Sequence, residues 1–314
     1  MHRLLAIITT ACLALAITAC GRQAPPTAPA KLRVAHLPIA DCAQLYVGMA
    51  QGFFEQEGLD LEAITMASGV TILEALATSS VDIGFSATAP LILTKARGLD
   101  LVSVAGGSVE DGFHPEHGVI VAKDSPIDSP KNLEGTTVGI VAFRSIDEVF
   151  IKEWLARNGA KVDSVRFIEV PFPQMIPTLA SKRIDAAAVI EPFLTAARLG
   201  GDSRTIGNHF VEVQPVVEIS SYNTRREWAD RNADVLRRFR AAFDRATEYA
   251  NSRVEETKTL ISTQTKLSPD IAREMVLPRY QERLSEQRLR DIADLMVKWQ
   301  LIDNVPDVAS LIYP

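Results

Sequence analysis

From Leu32 onward, short apolar runs alternate with stretches whose apolar residues recur every three or four positions. That is the pattern of strands alternating with helices in an α/β fold. The spacing predicts strands over Leu32–His36, Leu59–Thr65, Asp82–Phe85, Leu101–Ala105 and Gly118–Ala122. It predicts helices over Leu45–Glu57, stopped by Gly58, and over Val70–Thr78, where Thr71 and Glu74 are spaced as a capping box. Lys123–Asn132 holds Pro126 and Pro130 and reads as a connector. The alternation then restarts with strand Thr137–Val141, helix Ile146–Asn158 stopped by Gly159, and strand Val165–Val170. Ile146, Val149, Phe150, Trp154 and Leu155 give that helix one apolar face. Strand Val216–Ser221 leads into a long helical region, Thr224 to Trp299.

One unit occurs twice. Leu76-Ala77, Val81-Asp82, Pro90 and Leu93-Thr94-Lys95-Ala96-Arg97 return as Leu179-Ala180, Ile184-Asp185, Pro192 and Leu194-Thr195-Ala196-Ala197-Arg198. A repeated helix–strand–helix unit implies two similar α/β lobes with a cleft between them. In open α/β sheets, ligands sit outside the carboxyl ends of the strands, near helix N-termini. Here those segments are Ser86–Pro90 and Ile190–Pro192.

The N-terminus departs from this pattern. Arg3 is followed by an uncharged, mostly apolar run, Leu4 to Ala19, short of the ~20 residues a bilayer span needs but suited to a secretory signal. It ends Ile17-Thr18-Ala19-Cys20, which resembles a bacterial lipobox. Cys12 lacks the aliphatic residue three positions before it, so Cys20 is the expected lipidation site. Residues 1–19 are then the signal peptide, and 20–30, with Pro25, Pro26 and Pro29, a lipidated tether.

Composition narrows the class. In 314 residues, 33 Lys+Arg stand against 39 Asp+Glu, and this acidic balance argues against nucleic acid as a partner. Cysteines at 12, 20 and 42 are too few for a disulfide framework or a Cys-rich zinc site. Cys42 is expected to be a buried, inert thiol. H-E-x-x-H, G-x-S-x-G and G-x-G-x-x-G are all missing.

Several segments together resemble the solute-binding proteins of ABC importers, of the nitrate/sulfonate/taurine and pyrimidine-precursor type. They are Ala40-Asp41-Cys42-Ala43-Gln44-Leu45-Tyr46 with Gly52-Phe53-Phe54 and Gly58-Leu59-Asp60; Val81-Asp82-Ile83-Gly84; Ser125-Pro126-Ile127 with Asn132-Leu133-Glu134-Gly135; and Ile184-Asp185-Ala186 to Glu191-Pro192-Phe193. The resemblance implies the type II periplasmic-binding-protein fold, with two lobes, two crossover strands and a hinge that closes over ligand. By it the crossovers lie near Gly118–Lys123 and Val216–Asn223, with lobe 1 formed by 31–119 and 221–314 and lobe 2 by 120–220. It also implies a small-molecule ligand, a permease with its ATPase as docking partner, and no cofactor.

The candidate ligand residues follow from both arguments. Asp41 follows the first strand, where it reads equally as a cleft contact or a helix cap; Gln44 is a similar case. Ser68 and Gly69 precede the Val70 helix, for which Thr71 reads as the cap. Ser86 and Thr88 stand at a strand end before Pro90. Arg144 and Ser145 open the lobe 2 helix. Ser145 with Glu148 fits a capping box, while Arg144 offers an oxyanion a planar fork, with Asp147 a competing partner. Sulfonate binders of this family often carry Gly-Ser where this chain has Phe143-Arg144-Ser145. Glu191 acts in the opposite sense, favouring a ligand with amine, amidine or hydroxyl donors, or pairing with Arg144 across the closed cleft. The sign of the ligand's charge is therefore open. His114-Pro115-Glu116-His117 reads as a solvated loop and no metal site is expected, but His114 is placed to touch ligand from the rim.

The reading is a monomeric substrate-binding lipoprotein, anchored through Cys20 to a bacterial membrane in the periplasm or at the cell surface. The alternatives are a ligand-sensing lipoprotein, which needs the same closure, and an enzyme of the pyrimidine-precursor synthase type. Such synthases carry a Cys-rich segment that this chain lacks, so a non-enzymatic role is expected.

Overall fold

The computed structural model describes residues 28–314. The expected signal peptide, Cys20 and the tether to residue 27 lie outside the described residues. Two five-stranded sheets form the two lobes. The first runs Leu59–Thr65, Ala30–His36, Ile83–Ala87, Ser220–Arg225, Leu101–Gly106, and the second Arg166–Glu169, Thr137–Ile140, Ala186–Ile190, His117–Ala122, Ser203–Gly207. In each, the first three strands are parallel and the fourth is antiparallel to both neighbours. That fourth strand is in both cases the one arriving from the other lobe, so the repeat seen in the sequence extends to strand order.

The crossing segments lie side by side in a third, small sheet of Val216–Glu218, Ser108–Asp111 and Arg279–Tyr280. Gly118–Lys123, expected at the first crossing, instead belongs to the second sheet, whose strand begins at His117. The first crossing is thus Gly107–Glu116. The second expected strand, Val216–Ser221, breaks at Ile219 into a hinge piece and a lobe 1 piece.

Two helix predictions also change. Leu45–Glu57 is two helices, Ala43–Ala50 and Phe53–Gln56, because Gly52 adopts φ +67° and interrupts the first. The cap of the next helix is Ser68, reciprocated by Thr71, and not Thr71 with Glu74. The helical C-terminal region divides into several helices. The longest, Ala233–Ser252, buries Leu236, Phe239, Ala242, Phe243, Ala246 and Ala250 at helical spacing, and Phe239 stacks on Phe54 of lobe 1 with ring centres 5.5 Å apart.

Candidate functional site

The parallel strands of both sheets end at one gap, where a cavity is lined by Leu37, Ile39, Phe85, Ala87 and Ile219 from one side and Val141, Ala142, Phe172 and Ile190 from the other. It is small, about 40 Å³. Residues of both sheets' ends line it, so the two lobes face each other across it.

One helix from each lobe begins at this cavity, Gly69–Ala77 and Ile146–Arg157. Ser68 Oγ accepts from the Thr71 amide at 3.2 Å, and Thr71 Oγ1 donates to the Ser68 carbonyl at 2.8 Å. Ser145 Oγ accepts from the Glu148 amide at 3.3 Å. Capping leaves the first-turn amides of Gly69, Val70, Ile146 and Asp147, the donors any helix start leaves free, on residues that line the cavity. A Cβ at Gly69 would stand 3.2 Å from Ser86 Cα, so a larger residue there would have to push the helix start and the strand end apart by a few tenths of an ångström.

The titratable groups lining the cavity are Asp41, His117 and Asp147, and no Lys or Arg of the described residues joins them. All three are buried. Burial raises the Asp41 carboxyl above its ordinary range, although His117 pulls it back. Burial alone would lower His117, but the charge and hydrogen bond of Glu110 outweigh it, and the imidazole is raised. Asp147 Oδ1 lies 3.2 Å from His209 Nε2. Behind His117, the carboxylates of Glu110 and Glu116 are fully buried, and Glu110, Glu116 and His117 bring potential metal-ligating atoms within 4.8 Å of one another.

Of the residues predicted from sequence, the structure brings Asp41, Ser68, Gly69 and Ser145 together at the cavity and places the others elsewhere. Gln44 Nε2 donates to Thr247 Oγ1 at 2.9 Å inside lobe 1. Ser86 Oγ donates to the Ala87 carbonyl, and Thr88 Oγ1 to the Glu218 carbonyl, both at 2.6 Å. Glu191 caps the following helix, accepting from Thr195 N at 3.0 Å and Thr195 Oγ1 at 2.8 Å, and also from Val276 N at 3.3 Å. Its carboxylate is thus occupied and does not meet Arg144. Arg144, in a left-handed conformation with φ +62°, lines a separate rim pocket with Glu74 and Arg97. His114 sits on the exposed hinge loop, 2.9 Å from Asp111 Oδ1, while Glu116 and His117 are buried. The His-x-x-His pair is split between solvent and core.

Sequence reasoning missed the cavity positions of His117 and Asp147. Their signal is positional: one opens a strand that enters the second sheet, and the other lies in the first turn of a helix after a strand end.

The fold and this interlobe site define a two-lobe binding protein of periplasmic type II architecture. The sequence model of the NMT1/THI5-like family matches residues 39–257, and the chain belongs to that family. The formylaminopyrimidine-binding protein of Halalkalibacterium halodurans is 28% identical over 142 residues, which are 45% of this chain and only 41% of that protein's length. The periplasmic aliphatic sulphonate binding protein SsuA from Escherichia coli superposes with a TM-score of 0.73 at 21% identity, over 91% of this chain and 92% of that one. The periplasmic nitrate-binding protein NrtA from Synechocystis PCC 6803 gives 0.78 at 14% identity, over 90% of this chain and 84% of that one. At such identities these structures establish the fold.

Proposed function

We propose that this chain is the extracytoplasmic substrate-binding lipoprotein of an ABC importer. It is anchored by lipid on Cys20, captures a small organic solute between its lobes and delivers it to a permease with its ATPase. In this reading it is not an enzyme, and the hinge carries lobe 1 against lobe 2, with the first boundary, expected at 119/120, moved to the crossing Gly107–Glu116 and the second, expected at 220/221, to Ile219. The observation that carries the proposal is the cavity itself: two facing helix starts, one from each lobe, at the carboxyl ends of both sheets, so that a ligand contacts both lobes only when they meet.

The cavity's chemistry favours a neutral or cationic solute that donates hydrogen bonds. Asp41 and Asp147 supply acceptors, and no guanidinium or ammonium of the described residues faces the cavity to hold a bare sulfonate or nitrate. The apolar walls suit a flat heteroaromatic body, and the relative that binds formylaminopyrimidine is in keeping with this.

The test is thermal denaturation of protein unfolded and refolded to strip bound solute, against aminopyrimidines, amines, alkanesulfonates and nitrate. A ligand at 100 times its Kd adds about 2.7 kcal/mol, a rise of roughly 2–4 °C at this size. An aminopyrimidine or amine is expected to give it. A rise with sulfonate or nitrate alone would overturn the ligand class, and no rise with any compound, together with no small molecule in the stripped fraction, would overturn solute capture.

A further inference from the structure

At the floor of the solute cavity, sharing Asp41 and His117 with its lining, lies a second feature. Glu116 is 0% and Asp41 1% exposed, and the two carboxyl groups face each other. Both oxygens of Glu116 and Oδ1 of Asp41 have no hydrogen-bond partner among the described residues. The charges acting most strongly on Glu116 are those of Asp41, Glu110 and Glu191, all acidic. An ionised carboxylate without donors in a dry interior is costly. One shared proton would pair a single oxygen from each group and leave a third lone. A cation among Glu110, Glu116 and His117, whose potential ligand atoms lie within 4.8 Å of one another, would supply Glu116 with the partner it lacks.

The neighbouring imidazole completes the donor set. His117 donates from Nδ1 to Glu110 Oε2, and Glu110 Oε1 accepts from Asn208 Nδ2 at 2.6 Å, which fixes that carboxylate. With the proton on Nδ1, the ring's lone pair is on Nε2. A carboxylate holding a histidine whose other nitrogen is free is the usual support of a metal-bound imidazole.

We infer that Glu116 and His117, whose potential ligand atoms lie within 4.8 Å of each other and of Glu110, form, with Asp41 as a further carboxylate beside Glu116, a binding site for one divalent transition-metal ion at the floor of the interlobe cavity. Carboxylates with imidazole suit zinc, manganese or iron(II) and not the thiophilic ions. Asp41 belongs to the first lobe, while Glu116 leads into the first strand of the second. The ion therefore ties the lobes at the hinge end of the cleft. Three carboxylates outweigh its two charges, so the floor stays electronegative and a donor-rich solute remains compatible.

The full chain, purified and stripped with EDTA, is titrated with Zn²⁺ and separately with Mn²⁺ against a chromophoric chelator, and bound metal is counted by mass spectrometry. The expected result is one equivalent of at least one ion with submicromolar affinity, weakened at least 30-fold by Glu116→Gln. Metal-free Glu116→Gln should melt no lower than metal-free wild type, because it removes an unpaired buried charge. Should that variant fail to fold, Asp41→Asn serves with the same expectation. No stoichiometric metal in the wild type, or affinity within threefold of wild type in a folded variant, overturns the inference.

Discussion

Glu218 shows burial and pairing in direct competition. Its Oε2 accepts from Arg288 Nε at 2.7 Å and from the Ser285 amide at 3.2 Å, but Oε1 has no partner among the described residues. Burial prevails over the Arg288 charge, and the carboxyl rises from 4.5 to about 7. Between those values the folded chain holds a proton that the unfolded chain has released. Stability from this group is therefore fully present below pH 4.5 and is lost as pH rises to about 7, a change on the order of 3 kcal/mol. Glu218→Gln cannot ionise and should flatten that slope. Urea unfolding of both proteins at pH 5 and pH 8 measures it, and equal slopes would show that Glu218 does not titrate as the geometry requires. Cys42 obeys the same physics with no opposite charge beside it, and Asp41 adds to the effect of burial. It is buried and unpaired, and burial pushes its thiol well above the usual range, in keeping with the inert thiol expected from sequence.

Elements were more legible than contacts. Strand Leu59–Thr65 and helix Ile146–Arg157 fall where the apolar spacing puts them, although the helix is buried beyond its apolar face, Asp147, Glu148 and Glu153 included. The hinge strand Ser108–Asp111 was not legible, because four residues with two buried acceptor side chains carry no period. Glu191 and Thr88 stand as ligand candidates in the sequence for a related reason. A polar residue at a strand end looks the same whether it faces solute or caps the next helix, and only the fold shows Thr195 and the Glu218 carbonyl in reach. The crossing itself rests on a glycine the sequence did not single out. A Cβ on Gly107 would stand 2.3 Å from Ser220 Oγ and 2.7 Å from the Ser220 carbonyl carbon and oxygen. The two crossing segments touch backbone to backbone, and no rotamer relieves that clash. Gly107→Ala should destabilise by about 1–3 kcal/mol, whereas Gly200→Ala, with nothing within 4 Å, should be neutral or slightly stabilising. Urea midpoints of the pair decide it, and equal midpoints would sink the close approach.

At the scale of the molecule, closure depends on what else joins the lobes. Helix Glu286–Lys298 packs against Thr88–Ala96 of the first lobe and Ile146–Arg157 of the second. There the buried Glu153 of lobe 2 accepts from Lys298 Nζ at 2.6 Å and Trp299 Nε1 at 3.1 Å, besides Arg157 Nε at 2.8 Å in its own helix. Burial would raise this carboxyl, but Lys298 and Arg157 outweigh it and hold it below its ordinary range. Its contribution is therefore present at neutral pH and lost only as pH falls through that depressed value. In the hinge motion proposed above, Lys298 and Trp299 part from Glu153 as the lobes separate, so the contact stabilises the closed form over the open one. Losing 1–2 kcal/mol there would lower the closed-to-open ratio by about 5–30-fold, and apparent solute affinity falls with the closed population. Glu153→Gln should accordingly enlarge the radius of gyration of the solute-free protein in X-ray scattering. It should weaken binding severalfold, and saturating solute should restore the wild-type radius. A variant that lost thermal stability with an unchanged radius and affinity would make Glu153 a fastener within the fold and not a latch between its halves.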